Sequence, residues 1–174
     1  MIEENKNIIL KELFENPTTE FHIRGLARIT HLNPNTILNL VKKLKKEDFI
    51  FSEKRVNSVM IKLNFENKKI ILKKKLFNLT QLYNSGLIEE ISEKYHPKSI
   101  TLIGSYSKGE DTEKSDIDLV IQTNKQEKVN FDKFEEKLKR KIHFLILPKK
   151  YSKEFFNNLI NGIVLYGVIE DERI

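Results

Sequence analysis

Between residues 102 and 120 the chain reads Leu102-Ile103-Gly104-Ser105-Tyr106-Ser107-Lys108-Gly109-Glu110-Asp111, and then Ser115-Asp116-Ile117-Asp118-Leu119-Val120. No other stretch restricts the fold as strongly. A Gly-Ser turn closes one apolar run, and two aspartates at i and i+2 open another. Successive side chains of a strand leave opposite faces of a sheet, so the spacing predicts that Asp116 and Asp118 project the same way. Two carboxylates on one face, close to a Gly-Ser turn, make a site for Mg²⁺ and a triphosphate. Pro97 to Ile103 is predicted as the strand that enters the turn, and Lys114 to Ile121 as the strand that carries the aspartates. Between them, Ser105 to Asp111 is predicted to make a helical turn whose first amides face an anion.

The first third of the chain is organised differently. Ile8, Ile9, Leu10, Leu13 and Phe14 lie at helical spacing, and Asn16-Pro17 ends that helix. A short second helix is predicted over His22-Ile23-Arg24-Gly25-Leu26-Ala27-Arg28. Asn33-Pro34 then supplies an N-cap followed by Pro at the first helical position. The third helix runs from Asn35 to Lys46, with Ile37, Leu40, Val41 and Leu44 as its apolar stripe. Phe49 to Phe51, a basic turn over residues 52–58, and Val59 to Leu63 read as strand, turn and strand.

Charge separates the two halves. Residues 1–75 hold 16 Lys and Arg against 9 Asp and Glu, an excess of +7, whereas residues 76–174 hold 15 against 16. A localised basic excess is a footprint of polyanion binding, although Lys and Arg are also the ordinary solvated face of a helix. The 174 residues accommodate one large or two small domains, and 39% hydrophobic with 32% charged residues is a globular composition. No apolar run reaches the roughly 18 residues needed to span a bilayer. The acidic start Met1-Ile2-Glu3-Glu4 is unlike a targeting peptide, so a cytoplasmic protein without a membrane partner is expected. With no Cys there is no disulfide, thiol nucleophile or Cys-ligated zinc. His22, His31 and His96 lack metal-ligand spacing and read as structural.

Residues 66–95 form a connector. Leu76, Leu79, Leu82 and Tyr83 continue a helix that breaks at Ser85-Gly86, and Leu87, Ile88 and Ile91 begin another that closes at Tyr95-His96-Pro97. Either this helix packs on the first domain or pairs with a second copy in a homodimer, or it covers the edge of the second domain. The expected organisation is therefore residues 1–65, connector 66–95 and a second domain 96–174.

The N-terminal order of helix, short helix, capped helix and basic hairpin resembles the winged helix-turn-helix domains of archaeal and bacterial transcriptional regulators. The matching phrases are Phe21 to Arg28, Asn33 to Ile37, and Leu44 to Ile50. The resemblance implies DNA as a partner. Asn33, Asn35, Thr36 and Asn39 would face base edges, and Arg24, Arg28, Lys42, Lys43, Lys54 and Arg55 would contact phosphate. A winged helix serving only structure or protein docking is the other reading.

Gly104, Ser105, Gly109, Ser115, Asp116 and Asp118 resemble the pattern of the nucleotidyltransferase superfamily that includes DNA polymerase beta, and in particular its minimal prokaryotic members. The likeness runs over about residues 97 to 169, and Asn161 to Gly167 looks like the closing strand of those proteins. It implies an α/β (α+β) chain in which a winged helix precedes a mixed β-sheet with flanking helices. Gly104, Ser105, Lys108, Gly109 and Ser115 would bind a nucleoside triphosphate, and Asp116 and Asp118 would hold Mg²⁺. A nucleoside monophosphate would pass to a protein or small-molecule hydroxyl. Working members carry a third carboxylate on a later strand. Here that strand is Lys141 to Leu147, and His143 stands in the expected place, with Asp132, Glu135 and Glu136 on the preceding helix. Either His143 is the base, another acid takes the position, or the domain binds nucleotide without turnover as a regulator. A small helical partner protein, as in a toxin–antitoxin pair, suits both versions.

Overall fold

The computed structural model describes residues 2–56, 58–125 and 129–170. Two compact units divide at Phe77/Asn78, inside the segment that the sequence marks as a connector.

The first unit begins with α1 (Ile2–Glu15), whose buried face is Ile9, Leu10, Leu13 and Phe14. A two-residue strand β1 (Phe21–His22) follows, where the sequence predicts the start of a helix. The helix, α2 (Ile23–Thr30), starts one residue later than expected because His22 caps it. The His22 ring Nδ1 accepts the Gly25 N–H at 2.8 Å. His31 and His96 likewise sit at helix ends, in left-handed backbone. Asn33 caps α3 (Pro34–Lys46) as its sequence indicates, its Oδ1 accepting the Asn35 N–H at 2.8 Å.

The hairpin that follows is longer in strand and shorter in turn than residues 52–58 suggest. Strands β2 (Ile50–Arg55) and β3 (Ser58–Leu63) pair from Ile50↔Leu63 to Arg55↔Ser58, so Lys54 and Arg55 belong to β2. A polar run can stay in a ladder whose one face is solvated, which apolar patterning alone does not reveal. The antiparallel sheet is ordered β1-β3-β2. Ile9, Leu13, Leu26, Ile37, Leu44 and Ile61 are almost fully buried beneath it.

Helix α4 (Lys68–Ser85) contributes Ile70 to this first core and Leu82 to the second. In the second unit, α5 (Leu87–Tyr95) buries Leu87, Ile88, Ile91 and Tyr95. The sheet is ordered β6-β5-β4-β7. Its central strand β4 (Ser99–Ile103) runs antiparallel to β5 (Ile117–Gln122) and to β7 (Ile163–Gly167). The pairing of β5 with β6 (Ile142–Ile146) is parallel. A parallel pair needs a crossover, and α7 (Asp132–Leu138) lies in that connection. The short α6 (Gly104–Lys108) leaves the end of β4, and α8 (Lys153–Ile160) precedes β7. Ile100, Leu102, Ile117, Leu119 and Ile121 form the centre of this core, so β4 and β5 cannot shift register without exposing it. The architecture is mixed α/β, with helices flanking an antiparallel and a mixed sheet.

Candidate functional site

The end of β4 and the start of β5 meet at the Gly-Ser turn. Ile103 is the register partner of Asp118, so the Asp118 carboxylate arrives beside the backbone of Gly104. Gly104 has φ +73°, and a Cβ there would lie 2.4 Å from Asp118 Oδ2. Only glycine tolerates both the dihedral and the approach.

Helix α6 spans five residues, shorter than the predicted turn from Ser105 to Asp111. Gly109, at φ +77°, ends it, and the Glu110 N–H closes on the Ser105 carbonyl at 3.1 Å. Ser105 is half-buried and Lys108 exposed. The Ser115 hydroxyl accepts the Thr112 N–H at 2.9 Å and so shapes the loop before β5. Strand β5 starts at Ile117, so Lys114, Ser115 and Asp116 precede the strand in which the sequence places them. The ladder to β6 begins only where the Ile117 N–H reaches the Lys141 carbonyl at 2.8 Å, which accounts for the later start. Asp116 is exposed and opens onto a cleft of about 510 Å³ that Glu135 and Lys141 also line.

On the adjoining strand, Asp118 faces His143 in register. Asp118 Oδ1 lies 3.0 Å from His143 Nδ1, with the histidine side chain 64% exposed and the aspartate 31%. An ionised carboxylate only accepts hydrogen bonds, so Nδ1 carries the proton and donates. In the neutral ring, Nε2 then keeps its lone pair and faces away from Asp118 as a base. The two carboxylate oxygens are thus divided, Oδ1 on the imidazole and Oδ2 at the Gly104 turn.

Among the described residues no group of three or more His, Asp or Glu is arranged to hold a metal ion. Mg²⁺ commonly keeps several waters and binds through one or two carboxylates plus substrate phosphates. Asp116 and Asp118 fit that mode for one ion that arrives with a nucleotide, and imidazole at 143 does not extend it.

Two supports were not evident in the sequence. Asp111 is fully buried, and the Asn78 side-chain amide donates to its Oδ1 at 2.7 Å and to the Tyr106 carbonyl at 3.0 Å. The buried Arg140 guanidinium lies 3.8 Å from Asp111 Oδ2. This brace ties α6 and the following loop to the root of β6. Nothing in Glu110-Asp111-Thr112-Glu113 distinguishes the one buried acid from exposed Glu110 and half-buried Glu113. The second support is Glu135, which accepts the Ile142 N–H at 2.9 Å and pairs with Lys141 at 2.5 Å. The hydrogen bond from Lys141, and next the one from Ile142, hold the Glu135 carboxyl below the usual carboxylate range. Glu135 also raises the Lys141 ammonium, chiefly through that hydrogen bond.

In the first unit, Asn35, Asn39, Lys42 and Lys43 lie on the exposed side of α3, opposite its buried stripe, and Thr36 is half-buried. Asn33 is exposed but spends its Oδ1 on the cap. Arg24 and Arg28 are exposed on α2, and Lys54 on β2. Arg55 is already engaged. Its Nη2 lies 3.1 Å from Glu53 and 3.2 Å from Glu20, and the Glu53 hydrogen bond leads in raising its pKa. No helix among the described residues is long and apolar enough to cross a membrane.

Residues 85–167 match the family model described as "Nucleotidyltransferase domain". Three proteins of Methanocaldococcus jannaschii, each named "Putative protein adenylyltransferase", are similar to parts of the chain. One is 41% identical over 44 residues, covering 25% of this chain and 44% of the relative. A second is 53% identical over 32 residues, or 18% and 33%. The third is 54% identical over 33 residues, or 19% and 34%. The chain thus spans less than half the length of these relatives. The C-terminal part of the chain carries a nucleotidyltransferase domain homologous to them.

Proposed function

We propose that this domain moves a nucleoside monophosphate, with AMP the first candidate, from a nucleoside triphosphate onto a hydroxyl of a protein or small-molecule acceptor. The observation that carries the reading is the Asp118–His143 hydrogen bond of 3.0 Å beside the Gly104 turn. It orients the imidazole with Nε2 directed away from Asp118, as a general base requires. The acceptor oxygen attacks the α-phosphorus, the bond to the β-phosphate oxygen breaks, and pyrophosphate leaves. Nε2 of His143 takes the hydroxyl proton, and Asp118 stabilises the imidazolium that results. Gly104 lets the backbone approach the phosphates, with Ser105, Lys108, Gly109 and Ser115 around them. Mg²⁺ bound with the nucleotide would be held by Asp116 and Asp118 and would neutralise phosphate charge.

The names of the M. jannaschii proteins support protein as the acceptor class. The test is incubation with α-³²P-labelled ATP and Mg²⁺, alone and with extract of the source cells. Label should move to protein and be lost in Asp118→Asn and His143→Gln. Absence of label in the wild-type protein, or label that survives both substitutions, would refute the reading.

The absence, among the described residues, of a group of three or more His, Asp or Glu able to hold a metal favours a second reading, a nucleotide-binding regulator without turnover. It shares with the first a winged helix-turn-helix that binds DNA through α3 and the basic strands, supported by the exposed polar face of α3 and the +7 excess of residues 1–75. A homodimer matched to a two-fold DNA site, or a small helical partner protein, belongs to this reading.

A further inference from the structure

We infer that Lys141 is a triphosphate-binding residue, its ammonium reaching phosphate oxygens beside Asp116 and supplying from the root of β6 a positive charge that two carboxylates and one ion leave lacking. This rests on the nucleoside triphosphate site proposed above, and on its extending past Ser115 and Asp116 into the cleft that those two residues line.

The register is the first argument. Asp118 pairs with His143, and the ladder reaches back to the Lys141 carbonyl through Ile117. Lys141 and Asp116 each stand one residue before the first paired residues, Ile142 and Ile117, so they flank the start of the ladder on adjoining segments. Asp116 contributes to the electrostatic environment of Lys141, and both line the cleft of about 510 Å³. β6 and the residue just before it therefore offer two nitrogen groups where a third carboxylate would add another negative charge.

Charge balance is the second. Asp118 has one oxygen committed to His143, and no three-ligand group exists among the described residues. A triphosphate carrying one Mg²⁺ is still anionic, and the cleft it would enter beside Asp116 is also lined by Glu113, Asp132, Glu135 and Glu136. A mobile ammonium at the rim offsets that repulsion without needing ligands of its own.

The third is how Lys141 is held. Its side chain is 77% exposed, whereas that of Glu135 is 16% exposed and also anchored by the Ile142 N–H. Glu135 keeps a partner when Lys141 swings away, so the lysine is parked at the cleft rather than locked in a core. Lys114, Lys139 and Arg140 also line the cleft, but it is Lys141 that directly precedes β6, the strand whose His143 meets Asp118.

The experiment uses the full chain and two fluorescent probes, N-methylanthraniloyl ATP and AMP, followed by anisotropy with Mg²⁺ and with EDTA. Losing one charge-assisted bond should weaken ATP-probe binding by Lys141→Met about ten- to a hundredfold. AMP-probe binding should change by less than about threefold, and Lys141→Arg should recover most of the loss. In EDTA the wild-type protein should retain ATP-probe binding that Lys141→Met lacks. Glu135→Gln, which frees the lysine, should tighten ATP-probe binding, and it serves if Lys141→Met does not fold. Equal ATP-probe affinity in wild type and Lys141→Met overturns the inference, as does equal loss for both probes. So does unchanged or weaker binding in Glu135→Gln. These outcomes leave the proposed function standing, whereas a wild-type protein that binds neither probe overturns both.

Discussion

Replacing Gly104 by alanine probes the point where fold and site depend on each other. Placing an alanine at φ +73° costs roughly 1–2 kcal/mol, because its Cβ crowds the following carbonyl. The new Cβ would also stand 2.4 Å from Asp118 Oδ2, well inside contact distance. The carboxylate is the free end of a side chain, so it yields by rotating, and in doing so it leaves His143. That bond is partly exposed, so its loss adds about 0.5–1.5 kcal/mol. The sum is about 1.5–3.5 kcal/mol, enough to lower the melting temperature of a unit this size by roughly 6 °C or more. A double-mutant cycle with Asp118→Ala, read by urea unfolding, separates the two terms. Without the carboxylate there is nothing to displace, and Gly104→Ala should cost only its dihedral share. The expected coupling is about 0.5–1.5 kcal/mol. Costs that add to within about 0.3 kcal/mol would refute the steric link between the turn and Asp118.

Further outcomes follow from neighbouring contacts. Asp111→Ala removes a buried carboxylate from Asn78 and Arg140, and should cost about 3 kcal/mol as a lower urea midpoint at unchanged slope, with Asp111→Asn recovering part; a cost under about 1 kcal/mol would contradict the brace. The Glu135–Lys141 pair bounds a pH window. Glu135 is depressed from 4.5, so its contribution is present above that pH and lost as pH falls through the lower folded value. Lys141 is raised from 10.5, so its contribution is present below that pH and lost as pH rises through the higher folded value. In the Glu135→Gln, Lys141→Gln double variant, both limbs of the melting-temperature profile should flatten. If the first unit binds DNA, Lys42→Gln with Lys43→Gln should reduce the slope of log affinity against log salt by about 1.8. Arg55→Gln should change it little, because Glu20 and Glu53 already hold that guanidinium; a loss for Arg55 equal to that for the two lysines would argue for a different binding face.

The parts legible in sequence are those decided by local chemistry. Asn33-Pro34 opens a helix because the Asn oxygen and the proline ring solve one local problem, the orphan amides of a first turn. The Gly104 turn and the Asp118 strand are legible because a close approach permits so few residue types. Pairing decides the rest. A period-two run such as Asp116-x-Asp118 does not tell where a strand begins, and β5 begins only where β6 offers the Lys141 carbonyl. Helix α8 escaped for another reason, since its signal is the single Ser152 cap on the Phe155 N–H before a run mixing Phe and Asn. The two-residue β1 exists only because Phe21 and His22 meet Ile61 and Met60. The brace joins Asn78 to Asp111 across 33 positions, a separation that no local pattern spans.

The histidine at position 143 changes what the two aspartates can do as well as what they lack. Its register partner is Asp118, so an acid there would crowd like charges whenever no cation is bound, and that repulsion would be stored in the resting site. Imidazole reverses the sign of the contact and satisfies Asp118 Oδ1 without an ion. Asp116 and Asp118 would still hold a cation, but with one Asp118 oxygen already engaged its affinity would fall while the resting domain becomes more stable. In the proposed reaction the same bond works in the forward direction. Once Nε2 takes the acceptor proton, the ring is a cation and its Nδ1–H bond to Asp118 strengthens. Proton capture and the grip on Asp118 are therefore coupled through one side chain, and the motif's second aspartate serves both phosphate charge and the base.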